Sequence, residues 1–134
     1  IEVDIFCTRI DERVNRIVAS LSAFDNNIAG SDGTQTYVVK PPEVFYFESV
    51  DRTTFIYTAD KVLETPLKLY EIKDAFAHSE FIQISKQMII NFDKVTAIRP
   101  DFNARLQLIL SNGEAVIASR QYAPDVKRKL GLLP

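Results

Sequence analysis

Few side chains in this sequence have the type and spacing that catalysis requires. It contains one histidine (His78), one cysteine (Cys7) and no tryptophan. A zinc site needs three or four nitrogen, sulfur or oxygen donors at ligand spacing, and no such His/Cys/Asp cluster occurs. His78, in AFAHSEF beside a predicted helix end, fits a carbonyl cap or a solvated residue. Cys7 closes an apolar strand and reads as a small buried hydrophobe rather than a nucleophile. Gly30 and Gly33 lack the strand, glycine-rich turn and helix that cradle a phosphate. Carboxylates are numerous, but none falls in a motif that fixes a pair across a cleft. The expectation is a protein that is not an enzyme, with no metal, no cofactor and no small-molecule substrate. The cations offer other chemistry. An arginine guanidinium can donate two parallel hydrogen bonds to guanine O6 and N7. Lysine and arginine side chains can also neutralise phosphates, which positions a protein on a duplex without specifying sequence.

Charge is distributed in a way that suits such a partner. The 134 residues carry a net charge of −2, so a general attraction to nucleic acid is unsupported. By segment, residues 1–40 carry −2, residues 41–80 carry −4 and residues 81–134 carry +4. An asymmetry of this kind hints at an anionic partner for the basic part, although solvated faces also drift in charge. A hydrophobic content of 46% is that of a globular chain, and this length buries about two-thirds of the unfolded surface. The lone cysteine cannot pair within the chain, which fits a reducing, cytoplasmic setting. No apolar stretch is long enough to span a bilayer. The start at Ile1 predicts a trimmed chain.

Hydrophobic periodicity supplies the elements that must position these groups. IEVDIFC alternates as a half-buried strand. Thr8 and Asp11 form a variant capping box, and Ile10, Val14, Ile17, Val18 and Leu21 then make one stripe of an amphipathic helix ending near Phe24. DNNIAGSDG reads as turn. TYVVK, EVFYFES and TTFIYT read as strands. Residues 67–77, with Leu69, Ile72 and Phe76 at helical spacing, predict one short helix. FIQIS, QMIIN and KVTAIR resume the strands, with Phe81, Ile84, Met88, Ile90, Val95 and Ile98 as core and Asn91 holding a turn. RLQLIL and AVIAS flank Asn112-Gly113, a pair that readily takes the positive φ angles of a tight hairpin. Tyr122 to Leu130 predicts a final short helix started by Pro124 and stopped by Gly131. The fold class is mainly β (α+β overall), made of antiparallel sheets. Residues 1–40 form an N-terminal strand–helix–strand extension packed on a domain spanning 41–134.

From Pro42 to Leu130 four pieces stand in an order that resembles the LytTR domain, the DNA-binding module of LytR/AgrA-type bacterial transcription regulators. They are VFYFESVDRTTFIYT, LKLYEIKDAF, FIQISKQMIINFDKVTAI and LSNGEAVIASRQYAPDVKRKL. The segment before them resembles the N-terminal part of small stand-alone members that lack a receiver domain. The resemblance implies stacked antiparallel sheets that grip duplex DNA through loops, with pairs of protomers on direct repeats and loop side chains entering successive major grooves. It also implies a membrane-protein antagonist in some stand-alone members. An alternative is a β-rich interaction module whose acidic N-terminal half binds a regulatory protein.

Residue by residue, the resemblance places Arg120 at the arginine that reads a base edge. Thr53 stands in the other groove-entering loop, where relatives often carry histidine or an aromatic residue, and neighbouring Arg52 can reach a phosphate in its place. Lys86 stands where relatives contact DNA between the grooves. Gln121 adjoins Arg120, and Lys127 and Arg128 begin a basic run suited to phosphates. Each has a plainer reading: Arg120 as the partner of a surface acid such as Asp125, Lys86 as part of a solvated face. Five such contacts predict a slope of log K on log salt near −4. The negative charge on residues 1–80 should face away from DNA.

Overall fold

The computed structural model describes residues 27–77 and 79–132. The strand over residues 1–7, the amphipathic helix from Thr8 to Phe24, Cys7 and His78 lie outside the described residues. The described chain runs β1 (Ile28–Ser31), β2 (Thr36–Val39), β3 (Val44–Val50), β4 (Thr53–Thr58), β5 (Val62–Thr65), α1 (Leu69–Ala75), β6 (Phe81–Ser85), β7 (Met88–Asn91), β8 (Val95–Pro100), β9 (Leu106–Leu110), β10 (Ala115–Ala118) and α2 (Ala123–Lys129). Seven strands form one sheet in the order β2-β1-β5-β4-β3-β7-β6, and β10-β9-β8 form a second. Every pairing is antiparallel.

Successive side chains on a strand point to opposite faces, so β3 and β7 feed two cores. Tyr46, Ile84 and Ile90 face the three-stranded sheet and pack with Leu106, Leu108, Leu110 and Val116, closed by Ala123 and Val126 of α2. Phe47 and Ile89 face the other way, with Ile56, Leu63, and Ile72 and Phe76 from α1. The result is a stack: α1, the seven-stranded sheet, then the three-stranded sheet with α2. Of the residues expected in the core, Ile84 and Ile90 are buried, while Phe81, Met88, Val95 and Ile98 are half-buried at its margins. Asn91 holds its turn as expected. Its Oδ1 accepts from the Asp93 amide at 3.1 Å, and its buried amide donates to the Val44 carbonyl at 2.9 Å.

Three local expectations need correction. DNNIAGSDG contains a strand, because Gly30 allows β1 to lie against the neighbouring chain. A Cβ at Gly30 would sit 2.9 Å from the Leu63 Cβ. The turn itself is confined to the residues after Ser31, where the Asp32 carboxylate accepts from the amides of Thr34 and Gln35 at 2.9 and 3.0 Å. Those bonds hold the Asp32 carboxyl well below the usual carboxylate range. Strand β5, to which the sequence reading assigns no element, alternates exposed and buried along VLET and pairs with β4 from Thr54–Thr65 to Tyr57–Val62. The β9–β10 hairpin is present, but with four residues between the strands, of which Gly113 alone takes positive φ (87°). Asn112 instead accepts the Glu114 amide at 3.0 Å.

The helix ends follow their sequences. Glu71 accepts from the Lys68 amide at 2.8 Å, closing the start of α1. Gly131, at φ 77°, ends α2 by letting the Leu132 amide reach back to the Lys127 carbonyl at 2.8 Å. No helix among the described residues is long and apolar enough to cross a membrane.

Candidate nucleic-acid interface

Three connections leave the sheets at one end of the molecule, and backbone hydrogen bonds tie them together. The first is the two-residue turn Asp51-Arg52 between β3 and β4. Both residues have positive φ (50° and 68°), as a right-twisted hairpin demands. Aspartate tolerates this conformation, whereas Arg52 is held in it at a cost of about 1–2 kcal/mol. Arg52 is exposed and Thr53, the first residue of β4, is half-buried.

The second is Lys86-Gln87 between β6 and β7. The Gln87 amide donates to Ser85 Oγ at 3.2 Å, and the Gln87 carbonyl accepts the Ser49 amide at 2.8 Å. That bond sets the Lys86-Gln87 turn beside the end of β3, at Ser49, two residues before Asp51.

The third joins β10 to α2. The Ser119 amide donates to the Ile84 carbonyl at 2.9 Å, and the Ser119 carbonyl accepts from Tyr122 and Ala123 at 3.0 and 2.8 Å. The chain therefore turns tightly through Arg120 and Gln121, and both are exposed. Asp125, a plausible partner for Arg120 from sequence, pairs with Arg128. Among the described residues Arg120 has no ion pair.

These loops bring Arg52, Thr53, Lys86, Arg120 and Gln121 to one end, and they do not bring Lys127 and Arg128 there. Helix α2 runs back along β6, so that Lys129 Nζ reaches the Ser79 carbonyl at 3.3 Å and Glu80 at 3.7 Å. The basic run thus points toward the opposite end. Sequence reasoning missed Lys68. Its Nζ lies 3.4 Å from the Arg52 carbonyl, because β5 returns the chain to the first turn before α1 begins. Only the pairing of β4 with β5, which the sequence does not announce, carries that proximity.

Apart from Asp51 in the first turn and Asp101 after β8, the acids of the turns collect elsewhere. The β1–β2, β4–β5 and β9–β10 turns lie at the far end and carry Asp32, Asp60 and Glu114, with Glu43 and Asp93 beside them. Lys61 offsets them locally, bonding Asp60 at 3.2 Å and lying 5.3 Å from the Tyr37 ring centroid. A concavity of about 330 Å³ lined by Tyr37, Pro42, Phe45, Leu63 and Lys94 also lies away from the cationic loops. Charge is therefore polarised along the strands.

Residues 34–131 match the family described as the LytTr DNA-binding domain. The chain belongs to the LytTR DNA-binding domain family. That family is one of DNA-binding domains rather than of enzymes. Similar curated proteins include the sensory transduction protein LytT of Enterococcus faecalis, 33% identical over 105 residues, covering 78% of this chain and 43% of that protein. LytT of Bacillus subtilis is 25% identical, over 89% of this chain and 51% of that protein. The chain thus spans about half the length of these relatives. An uncharacterised HTH-type transcriptional regulator of Staphylococcus aureus is 20% identical over 97% of this chain and 89% of its own. The solved LytTr DNA-binding domain from Bacillus cereus shares the fold, with a TM-score of 0.75 over 79% of this chain and 97% of that one, at 24% identity. The stacked-sheet LytTR fold expected from sequence is therefore present.

Proposed function

We propose that this LytTR domain binds duplex DNA sequence-specifically, as a pair of protomers on directly repeated half-sites. Its cationic loop end would lie along the grooves. Arg120 donates to a guanine edge in one major groove. Thr53 faces the neighbouring groove, with Arg52 on a phosphate, and Lys86 bridges the backbone between them. Gln121 supports the Arg120 contact. The carrying observation is the convergence of the three turns bearing Arg52, Lys86 and Arg120 on one end, with the acidic turns at the other. Lys127 and Arg128 are set back along α2, where Arg128 is paired with Asp125, and take no part in this contact.

The reading in which the acidic half binds a regulatory protein in place of DNA is not favoured by family membership. A membrane-protein antagonist would use the acidic end, which the DNA reading leaves free. A reducing, cytoplasmic setting fits both contacts. The test is fluorescence anisotropy with a duplex carrying two half-sites, one half-site, or the same bases scrambled. Tight binding to the double site, weaker to the single and weakest to the scrambled duplex supports the proposal. Equal affinity for all three, unchanged by Arg120→Ala, overturns it.

A further inference from the structure

A fourth connection projects from the same end, and the functional reading above does not use it. Leu106 pairs with Ala118 and with Pro100. The β8–β9 hairpin tip, residues 101–105, therefore leaves the sheet beside the strand that continues into Ser119 and Arg120. At that tip Phe102 is 79% exposed, more than any other exposed large apolar side chain among the described residues.

The tip is built to hold it there. Asn103 and Ala104 both take positive φ (57° and 61°), a conformation that alanine ordinarily avoids. The surrounding bonds impose it. Arg105 and Asp101 form an ion pair at 3.0 Å, the Asp101 amide donates to the Arg105 carbonyl at 3.0 Å, and Arg105 Nε donates to the Phe102 carbonyl at 3.3 Å. Arg99 stands exposed on the same hairpin, and the Arg120 loop stands alongside. An apolar ring on a braced, strained turn, flanked by arginines, has the makings of a wedge against DNA, where apolar side chains enter at base steps while the cations hold the backbone.

We propose that Phe102 is a DNA contact, a ring that packs into the groove next to the one Arg120 reads and partly unstacks a base step there. The inference rests on the DNA-binding reading and adds to it an apolar element with its own signature. A phosphate contact releases counterions and steepens the salt dependence, whereas an apolar contact does not.

The experiment first selects the protein's preferred site from fragmented genomic DNA, then measures binding of wild type, Phe102→Ala, Phe102→Leu and Arg120→Ala to a labelled duplex carrying that recovered site. A random-sequence duplex of equal length, and the recovered site with 2-aminopurine at successive positions, complete the set. Because Phe102 is largely in solvent, the alanine variant should unfold at the wild-type temperature. It should bind about tenfold more weakly, at the low end for a lost aromatic–base contact, with an unchanged salt slope. The leucine variant should fall between. One 2-aminopurine position should brighten with wild type and stay dark with Phe102→Ala. Wild-type affinity and fluorescence in Phe102→Ala, alongside weakened Arg120→Ala, overturns this proposal and leaves the DNA-binding reading standing. A variant that binds one half-site normally and loses only the second protomer also overturns it, because Phe102 then touches the other copy. Failure of wild type on every duplex removes both readings.

Discussion

The amide of Ser119 donates to the carbonyl of Ile84 at 2.9 Å, so the loop that presents Arg120 is fastened to the strand that leads into Lys86. Arg120 and Lys86 follow strands of different sheets, yet one backbone bond sets their spacing. Buried Ile84 anchors one side, while Ala118, also buried, anchors the other. The guanidinium is thus carried by a short tether on two rigid strands, the arrangement that base readout requires.

Replacing Arg120 with alanine should weaken binding to the specific duplex by about 1–3 kcal/mol and relax discrimination at one base pair. Lysine should recover part of the affinity and little of the discrimination, since it lacks the planar fork. Arg120 is exposed and makes no ion pair among the described residues, so thermal unfolding should not change. Competition titrations against single-base variants of the site check both halves of the expectation.

The four cations on the three turns and at the start of α1, Arg52, Lys86, Arg120 and Lys68, contribute about −3.6 to the log–log salt slope. Lys68→Ala and Lys86→Ala should each flatten it by about 0.9. Arg128 is already occupied by Asp125, and Arg128→Ala should leave the slope nearly unaltered. Affinities measured across a salt series decide the matter; a large change from Arg128 and none from Lys68 would reverse the assignment.

The Asp51-Arg52 turn sets stability against binding. Glycine accepts a φ of 68° without the penalty that arginine bears. Arg52→Gly should therefore stabilise the fold, by up to about 1 kcal/mol in urea denaturation, while weakening DNA binding through loss of a cation. A variant that lost stability would show that the Arg52 side chain, and not the backbone, secures the turn.

Two tyrosines between the sheets predict an alkaline response. Tyr46 stacks on Tyr57 with centroids 4.4 Å apart, and its hydroxyl donates to Glu114 at 2.8 Å. Burial first, and then the Glu114 carboxylate, push the Tyr46 hydroxyl above its usual range, and burial with Glu48 does the same for Tyr57. An unfolded tyrosine loses its proton near pH 10, while these two keep theirs in the folded state. Their contribution to stability is therefore complete below about pH 10 and falls as pH rises beyond it. Denaturation midpoints should be flat from neutrality to that point and then decline, less steeply in Tyr46→Phe.

Much of this architecture was legible because it rests on local pattern. The strands around Phe47, Ile56 and Ile84 alternate or run apolar, Leu69, Ile72 and Phe76 fall at helical spacing, and Gly131 stops α2 where expected. What escaped depends on distant pairing. Gly30 looks like a turn residue until Leu63 lies against it. Lys68 looks like a surface lysine until β5 returns it to Arg52. The Asp51-Arg52 turn carries no glycine to advertise its positive φ. Arg120, Thr53 and Lys86 were proposed by resemblance, and the fold brings the connections that carry them to one end. The contrast between them and Lys127, which the direction of α2 carries away, needed the fold.

The most direct test is to incubate the protein with fragmented DNA from its own genome at near-physiological salt and sequence what it retains, with Arg120→Ala in parallel. A sequence-reading LytTR domain should retain a small set of fragments that share spaced repeats, and the variant should lose them. Uniform retention that Arg120→Ala leaves unchanged would contradict the account.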